Sequence, residues 1–213
     1  MKAAVLTTQS DCWKNLGDVV IPNMQAYCDK QGYGWLIDKI PPAFEFYKIN
    51  AIIAALQNFG YDLVLCLDLD TLITNHNVKV EDFVDSGHDF YITQDINEIN
   101  AGAVIVRKSG WSINMLHQVL ESKAENEQNA LKPFMNDPKV KILPHPSINS
   151  YPYDEYAPSY GLIPGRTPLL GIEGKPTHEQ GNWERGDFIM HLPGLTNARR
   201  IEIFNRTKEQ IIL

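Results

Sequence analysis

The stretch of the chain best suited to chemistry is Leu63-Val-Leu-Cys-Leu-Asp68-Leu69-Asp70-Thr71, where two carboxylates one residue apart leave an apolar run. Side chains alternate along a strand, so Asp68 and Asp70 share a face if strand geometry continues through them. Carboxylates this close repel each other unless a cation lies between them. Oxygen ligands suit Mg2+ or Mn2+. The same spacing also serves a solvated turn, with Asp as loop former. His191 is the second such residue: it follows Phe188-Ile-Met and precedes Leu192-Pro193-Gly194. A lone histidine is more often structural, but an imidazole at a strand end favours Mn2+ over Mg2+ as a shared ion. Lys48 stands at the start of a helical pattern, either as a cation near phosphate groups or as an exposed helix-start lysine.

The surrounding pattern says what must hold these groups. Ala3 to Thr7 and Trp35 to Ile40 read as strands, the second closed by Pro41-Pro42. Leu16, Val19, Val20, Met24, Tyr27 and Cys28 follow helical spacing, with a start expected near Pro22 and an end at Gly32. Ile49, Ile52, Ile53 and Leu56 repeat at i, i+3, i+4, i+7, an amphipathic helix stopped by Gly60. Leu63 to Leu67 is continuously apolar, as in a strand covered on both faces. Asp89 to Thr93, Ala103 to Val106 and Phe188 to Met190 are further strands. Helices are expected from about Ser112, as cap, to Leu120, around Gln128 to Phe134, and from Thr207 to Ile212. Alternating strands and helices give an α/β fold with a mostly parallel central sheet flanked by helices. The carboxyl ends of such strands are where ligands bind, and Asp68 and Asp70 lie at one. Residues 144–187 are rich in Pro, Gly, Tyr and Ser and lack periodicity, which in a compact chain marks a functional loop region. Its Tyr151, Tyr153, Tyr156, Tyr160 and Trp183 offer flat faces for sugar rings, or for the core.

Composition narrows the partners. The 213 residues suit one domain, 1–213, and 44% hydrophobic content is enough for a core. A net charge of −7 argues against a general grip on nucleic acid or anionic membrane. Any polyphosphate ligand then needs a metal or a few placed cations. Three cysteines without a CxxC fit free thiols in a cytoplasmic protein. No apolar run reaches the ~18 residues of a transmembrane span.

Four stretches, in order, resemble glycosyltransferase family 34, the galactosyl-, xylosyl- and mannosyltransferases of plants and fungi. They are LVLCLDLDTLITN (63–75), NAGAVIVRKSGWSINML (100–116), EQNAL (127–131), and INSYP (148–152) joined with GDFIMHLPG (186–194). The resemblance implies a GT-A fold, Rossmann-like, and a retaining transfer from a nucleotide sugar, with UDP the expected carrier, to a hydroxyl acceptor such as a glycan. It implies Mn2+ held by Asp68, Asp70 and His191. Leu69 and Gly194 fall inside the donor-binding motifs. Glu127 and Gln128 would lie under the sugar as catalytic residues, and Asn100, Ala101 and Gly102 would line the donor or acceptor pocket. Thr7 and Thr8 stand where such enzymes hold base and ribose. Residues 1–110 would bind the nucleotide and 111–213 complete the metal and acceptor sites. The turn after His191 also resembles the HxxGxxK of glycogenin-like enzymes. Here Asn197 takes the lysine's place, leaving Arg199 or Arg200 to supply charge. Membrane anchors known in the family's eukaryotic members have no counterpart here. Two other readings stay open. Haloacid-dehalogenase-like phosphatases also carry DxD after a strand, but on the first strand and with Gly before Thr. A non-catalytic sugar-nucleotide-binding module would keep the fold without the reaction.

Overall fold

The computed structural model describes residues 1–39, 46–95, 98–152 and 181–213. Strands β1 (Ala3–Gln9), β2 (Gly34–Lys39), β3 (Leu63–Leu67), β5 (Phe90–Asp95), β6 (Glu98–Arg107) and β7 (Val140–Leu143) form a sheet in the order β2-β1-β3-β6-β5-β7. β1 runs parallel to β2 and β3, and β5 parallel to β7, while β6 is antiparallel to both of its neighbours. A separate antiparallel pair joins β4 (Thr71–Ile73) to β8 (Ile189–His191). The α/β architecture is the one expected from the alternating pattern.

Helices cover both faces. Helix α1 (Lys14–Gln31) and helix α5 (Asn197–Thr207) lie on one side, α2 (Tyr47–Gln57) and α3 (Gly110–Glu121) on the other, and the short α4 (Glu127–Leu131) follows α3. The continuous apolar run of β3 follows from this. Leu63, Leu65 and Leu67 pack with Leu16, Val20 and Met24 of α1, while Val64 and Cys66 pack with Ile49, Ile52 and Leu56 of α2. With both faces buried, alternation has no polar half, and the strand holds its carboxyl end rigidly. No helix among the described residues is long and apolar enough to cross a membrane.

Several element boundaries differ from the expectation. Helix α1 begins at Lys14, so Pro22 lies inside it rather than at its start. A proline there leaves the carbonyl of residue 18 without its helical donor, at a cost of about 3 kcal/mol. The buried stripe Leu16, Val20, Met24, Tyr27 and Cys28 spans both sides of the proline and outweighs that cost. Gly32 ends the helix in the left-handed conformation, φ 71°, as expected. Helix α3 is capped by Ser109, whose hydroxyl accepts from Ser112 N–H while Ser112 Oγ accepts from Ser109 N–H; Ser112 is the third helical residue and not the cap. The last helix runs 197–207, earlier than the pattern around Thr207 suggests, because its apolar face is interrupted by the buried Arg200. Tyr153, Tyr156 and Tyr160 lie outside the described residues. Tyr151 and Trp183 turn inward, the first 2% exposed and the second packed against the core with its indole N–H on Thr74 Oγ1.

Replacing the exposed Pro22 with alanine restores one helical hydrogen bond. The larger conformational freedom of the unfolded chain offsets part of the gain. Pro22→Ala is expected to raise the unfolding free energy by about 1–2 kcal/mol in urea titrations. An unchanged or lowered midpoint would show that α1 needs the proline bend to reach both ends of its packing surface.

Candidate active site at the carboxyl end of β3

Strand geometry stops at Leu67. Asp68, Leu69 and Asp70 form a turn, closed by Thr71, whose N–H and hydroxyl both donate to the Asp68 carbonyl at 3.2 and 2.8 Å. The two carboxylates therefore do not share a strand face as the alternation suggested. They aim at different partners. Leu69 between them is buried.

Asp68 Oδ1 accepts from Lys48 Nζ at 2.9 Å. The same ammonium donates to Glu127 Oε1 at 2.8 Å and to the Ala101 carbonyl at 3.0 Å. Three protons meet three acceptors, so Lys48 is a saturated buried bridge. Burial opposes its charge, but Asp68 and Glu127 overcome that and hold Lys48 above its ordinary range. Burial pushes Asp68 up, with Lys48 pulling it down and Asp70 and Glu127 adding to the rise. The Asp68 side chain nonetheless stays 38% exposed, the most open of the cluster. Glu127 stands at the first position of α4, which Asn126 caps by accepting from Asn129 N–H at 2.8 Å. Gln128 Oε1 accepts from Ala101 N–H at 3.2 Å, so the peptide group of residue 101 is held from both sides.

Asp70 faces the C-terminal segment. Register in the β4–β8 pair sets Thr71 opposite His191, and Leu192 N–H donates to the Asp70 carbonyl at 2.9 Å. Asp70 Oδ1 then lies 3.2 Å from His191 Nε2, and Asp70 Oδ2 accepts from Arg200 at 2.7 Å. Burial raises the carboxyl, but His191 first and Arg200 second overcome it and hold it below the usual range. Arg200 also donates to the Leu192 carbonyl and to Asn197 Oδ1, and its guanidinium stacks 4.8 Å from the Trp13 ring. Gly194, with φ 75°, makes the turn that brings α5 back.

The Asn100-Ala-Gly block supplies the floor. Asp68 N–H donates to the Gly102 carbonyl at 2.7 Å. A methyl group on Gly102 would sit 2.3 Å from the His191 ring, so the residue must be glycine for the imidazole to lie where it does. Asn100 is buried below, bonded to Asp95 and Tyr151.

The charge count of the cluster is three carboxylates, Asp68, Asp70 and Glu127, against Lys48 and Arg200, with His191 at the margin. Adding a polyphosphate would deepen the deficit, so a divalent cation suits it. Two ligands on adjacent positions of an octahedral ion lie about 3 Å apart, the spacing of Asp70 Oδ1 and His191 Nε2. The donor set of carboxylate oxygen and imidazole suits Mn2+. The structure brings Asp70 and His191 together; it turns Asp68 toward Lys48. Among the described residues no group of three or more His, Cys, Asp or Glu is arranged to hold a metal ion. Cys66, beneath Lys48, is pushed up to about 12 by burial and is a core thiol rather than a nucleophile.

Of the other candidates, Thr7 is buried and spends its hydroxyl on the Leu67 carbonyl at 2.7 Å, while Thr8 beside it is half-buried at the end of β1. Arg199 is 38% exposed and pairs with Glu202 at 2.7 Å, away from Asp70. Arg200 is the arginine of the site, and a signal for it existed. Arg200, Ile203, Phe204 and Thr207 repeat at i, i+3, i+4, i+7 and form the buried face of α5. Asn149 and Asp95, which support His191 and Asn100, carried no signal of their own, apart from Asn149 lying in the INSYP block.

His145 completes the surroundings. It is 3% exposed, its ring meets Tyr151 edge-on at 4.6 Å, and neither ring nitrogen has a hydrogen-bond partner among the described residues.

The model of the galactosyl transferase GMA12/MNN10 family matches residues 84–202. No curated protein matched the chain. Among solved structures, a glycosyltransferase involved in glycosylation of the major capsid of PBCV-1 superposes with TM-score 0.71 at 16% identity, covering 97% of this chain and 100% of that one. The glycosyltransferase GlyE of Streptococcus pneumoniae TIGR4 gives 0.60 at 15%, over 97% of this chain and 60% of its own. The galactosyltransferase LgtC, in complex with donor and acceptor sugar analogues, gives 0.55 at 15%, over 99% and 96%.

Burial lowers His145 to about 4. Its unfolded counterpart takes up a proton near pH ~6.5. Between those values the unfolded state binds the extra proton, so stability falls as pH drops through this window. His145→Leu is expected to lose less stability than the parent between pH ~6.5 and ~4, by up to about 3 kcal/mol, in urea unfolding at several pH values. Equal slopes would show that the ring finds a proton partner when folded.

Proposed function

This chain belongs to the galactosyl transferase GMA12/MNN10 family and is a glycosyltransferase, and from that premise we propose a metal-dependent, retaining transfer of a hexose or pentose from a UDP-sugar to a glycan hydroxyl. The observation that carries the reading is the facing pair Asp70 Oδ1 and His191 Nε2, held at ligand spacing beside the exposed carboxylate of Asp68. Family membership sets aside the phosphohydrolase reading of the DxD sequence. The non-catalytic module is disfavoured by Glu127, a second carboxylate that Lys48 ties to Asp68, as a reacting sugar would require.

Asp70, His191 and Asp68 would hold Mn2+, or Mg2+ in its place. Bound there, the ion offsets the charge that grows on the departing nucleoside diphosphate, stabilising the transition state more than the ground state. Arg200 aims Asp70, and the Gly194 turn and Arg199 lie at the start of α5, on the side from which a diphosphate would be met. Lys48 fixes the distance between Asp68 and Glu127, and so between the donor's phosphates and its sugar. Glu127 would meet the positive charge that develops at the anomeric carbon, and it would be the nucleophile of a covalent route. Gln128 holds the Ala101 peptide as the wall against the sugar, with Asn100 and Gly102 completing it. Thr8 and the backbone at Thr7 end β1 on the side assigned to base and ribose. Residues 1–110 would thus bind the donor, while 111–213 bring Glu127, His191 and the acceptor surface. The three free thiols fit a reducing, cytoplasmic setting.

Purified full-length chain incubated with UDP-sugars, Mn2+ and glycan acceptors is the direct assay. The first-formed product is expected to carry an α-anomeric proton signal from an α-linked donor; a β signal in early product would contradict retention. Asp70→Ala is expected to lower the rate about a thousandfold, the few kcal/mol such an ion supplies, with an unchanged circular dichroism spectrum. Full activity of that variant in the presence of a chelator would refute the metal reading.

A further inference from the structure

His191 has two ring nitrogens, and which one carries the proton decides what it offers to Asp70. Nδ1 lies 2.6 Å from Asn149 Oδ1, and Nε2 lies 3.2 Å from Asp70 Oδ1. An asparagine can present either its oxygen or its NH2, so the contact alone leaves the tautomer open. Its surroundings favour one orientation.

The directions can be followed from a backbone N–H, a donor that cannot reverse. Gly102 N–H donates to Asn100 Oδ1 at 2.9 Å. The NH2 of Asn100 must therefore face the other way, where it donates to Asp95 Oδ2 and Tyr151 Oη, both at 2.9 Å. Asp95 Oδ2 is then an acceptor, and the hydroxyl proton of Tyr151 goes to it at 2.7 Å. Tyr151 has one proton, so its oxygen faces Asn149 with a lone pair. Asn149 meets that lone pair with its NH2, at 3.5 Å, and donates the other N–H to Thr93 Oγ1 at 3.0 Å. In this orientation the Asn149 oxygen faces His191, which donates to it from Nδ1 at 2.6 Å.

We propose that Asn149, with its polarity set by Tyr151 and Asp95, is a positioning residue that makes His191 donate from Nδ1, so that Nε2 is the nitrogen facing Asp70 that a cation would take in place of a proton. Rest on the metal reading is partial: the tautomer stands by itself, and its use as a ligand depends on the cation. Two lone pairs facing each other at 3.2 Å repel unless a cation or proton lies between them. Outer partners of this kind fix the orientation of a ligating histidine, and losing them costs about 10- to 100-fold in metal affinity. All six side chains involved, Thr93, Asp95, Asn100, Asn149, Tyr151 and His191, are buried, so water does not compete for these bonds. The INSYP block has its role here. Asn149 and Tyr151 reach His191 because Ser150 pairs in register beside β8, its carbonyl accepting from His191 N–H at 2.8 Å.

The test is ring 15N NMR of the metal-free protein, titrated to alkaline pH until the imidazole is neutral, with His191 assigned by its loss in His191→Gln. The expected pattern is a protonated Nδ1 and a bare Nε2, the form less favoured by free histidine. An Nε2–H pattern overturns the proposal. Mn2+ affinity, read by electron paramagnetic resonance, is the second arm. Asn149→Asp keeps an oxygen toward Nδ1 and is expected to retain both the ring pattern and Mn2+ affinity within about threefold, whereas Asn149→Leu and Tyr151→Phe lose about 10-fold or more. Unaltered ring pattern and affinity in Asn149→Leu and Tyr151→Phe, with melting curves showing them folded, would overturn the relay. An Nδ1–H ring in a wild-type protein that binds no Mn2+ would uphold the tautomer while refuting the metal reading.

Discussion

Three carboxylates meet at the end of one buried strand, and much of the molecule is arranged around balancing them. Asp68 and Glu127 share Lys48, and Asp70 takes Arg200 on one oxygen while facing His191 on the other. Each partner comes from a different part of the chain: Lys48 from α2, Glu127 from α4, His191 from β8 and Arg200 from α5. An unbalanced buried carboxylate costs several kcal/mol, so these contacts act as constraints on where the elements can sit. The Asp70–Arg200 pair spans 130 residues of sequence. It ties the last helix to the turn that follows β3, and the stack of Arg200 on Trp13 extends the tie to the loop after β1.

The balance is incomplete in one direction. Lys48 has no donor to spare, and Arg200 has committed three of its five N–H donors to protein oxygens. A diphosphate arriving here meets few free cations among the described side chains of the cluster. That is the physical case for a divalent ion as part of the donor complex rather than a second lysine or arginine. It also explains the negative net charge of the chain without contradiction. An ion bound there would bring the positive charge locally, and the surface need not.

The sequence was most legible where local pattern and tertiary environment agree. The continuous apolar run of β3 reads correctly as a strand covered on both faces, because Leu63, Leu65 and Leu67 and the intervening Val64 and Cys66 all find helices. Asp70 and His191, picked out by residue type and position, do meet in the fold at the carboxyl end of β3. Pattern failed where packing overrode propensity, as at Pro22, where a long apolar stripe carries the helix through a residue that ordinarily starts one. Between Arg199 and Arg200 the motif left the choice open; the helical phase of Ile203, Phe204 and Thr207 turns Arg200 inward to Asp70 and leaves Arg199 on the surface. Tyr151 read as a sugar platform and is a buried hydrogen-bonded phenol instead, since its role depends on Asp95, 56 residues away, which no local pattern could disclose. Orientation of an asparagine amide is further still from the sequence, being decided by a backbone N–H three side chains removed.

The central claim is that the cation and the nucleoside diphosphate complete one charge cluster together. Melting of the full-length protein with UDP alone, Mn2+ alone and both measures this directly. Ligands that bind only the folded state raise the melting temperature, and coupled ligands raise it by more than the sum of their separate effects. The account predicts small shifts for each alone, a larger-than-additive shift for the pair, and loss of that excess in His191→Gln. A full shift from UDP in the presence of a chelator, unchanged in His191→Gln, would contradict it.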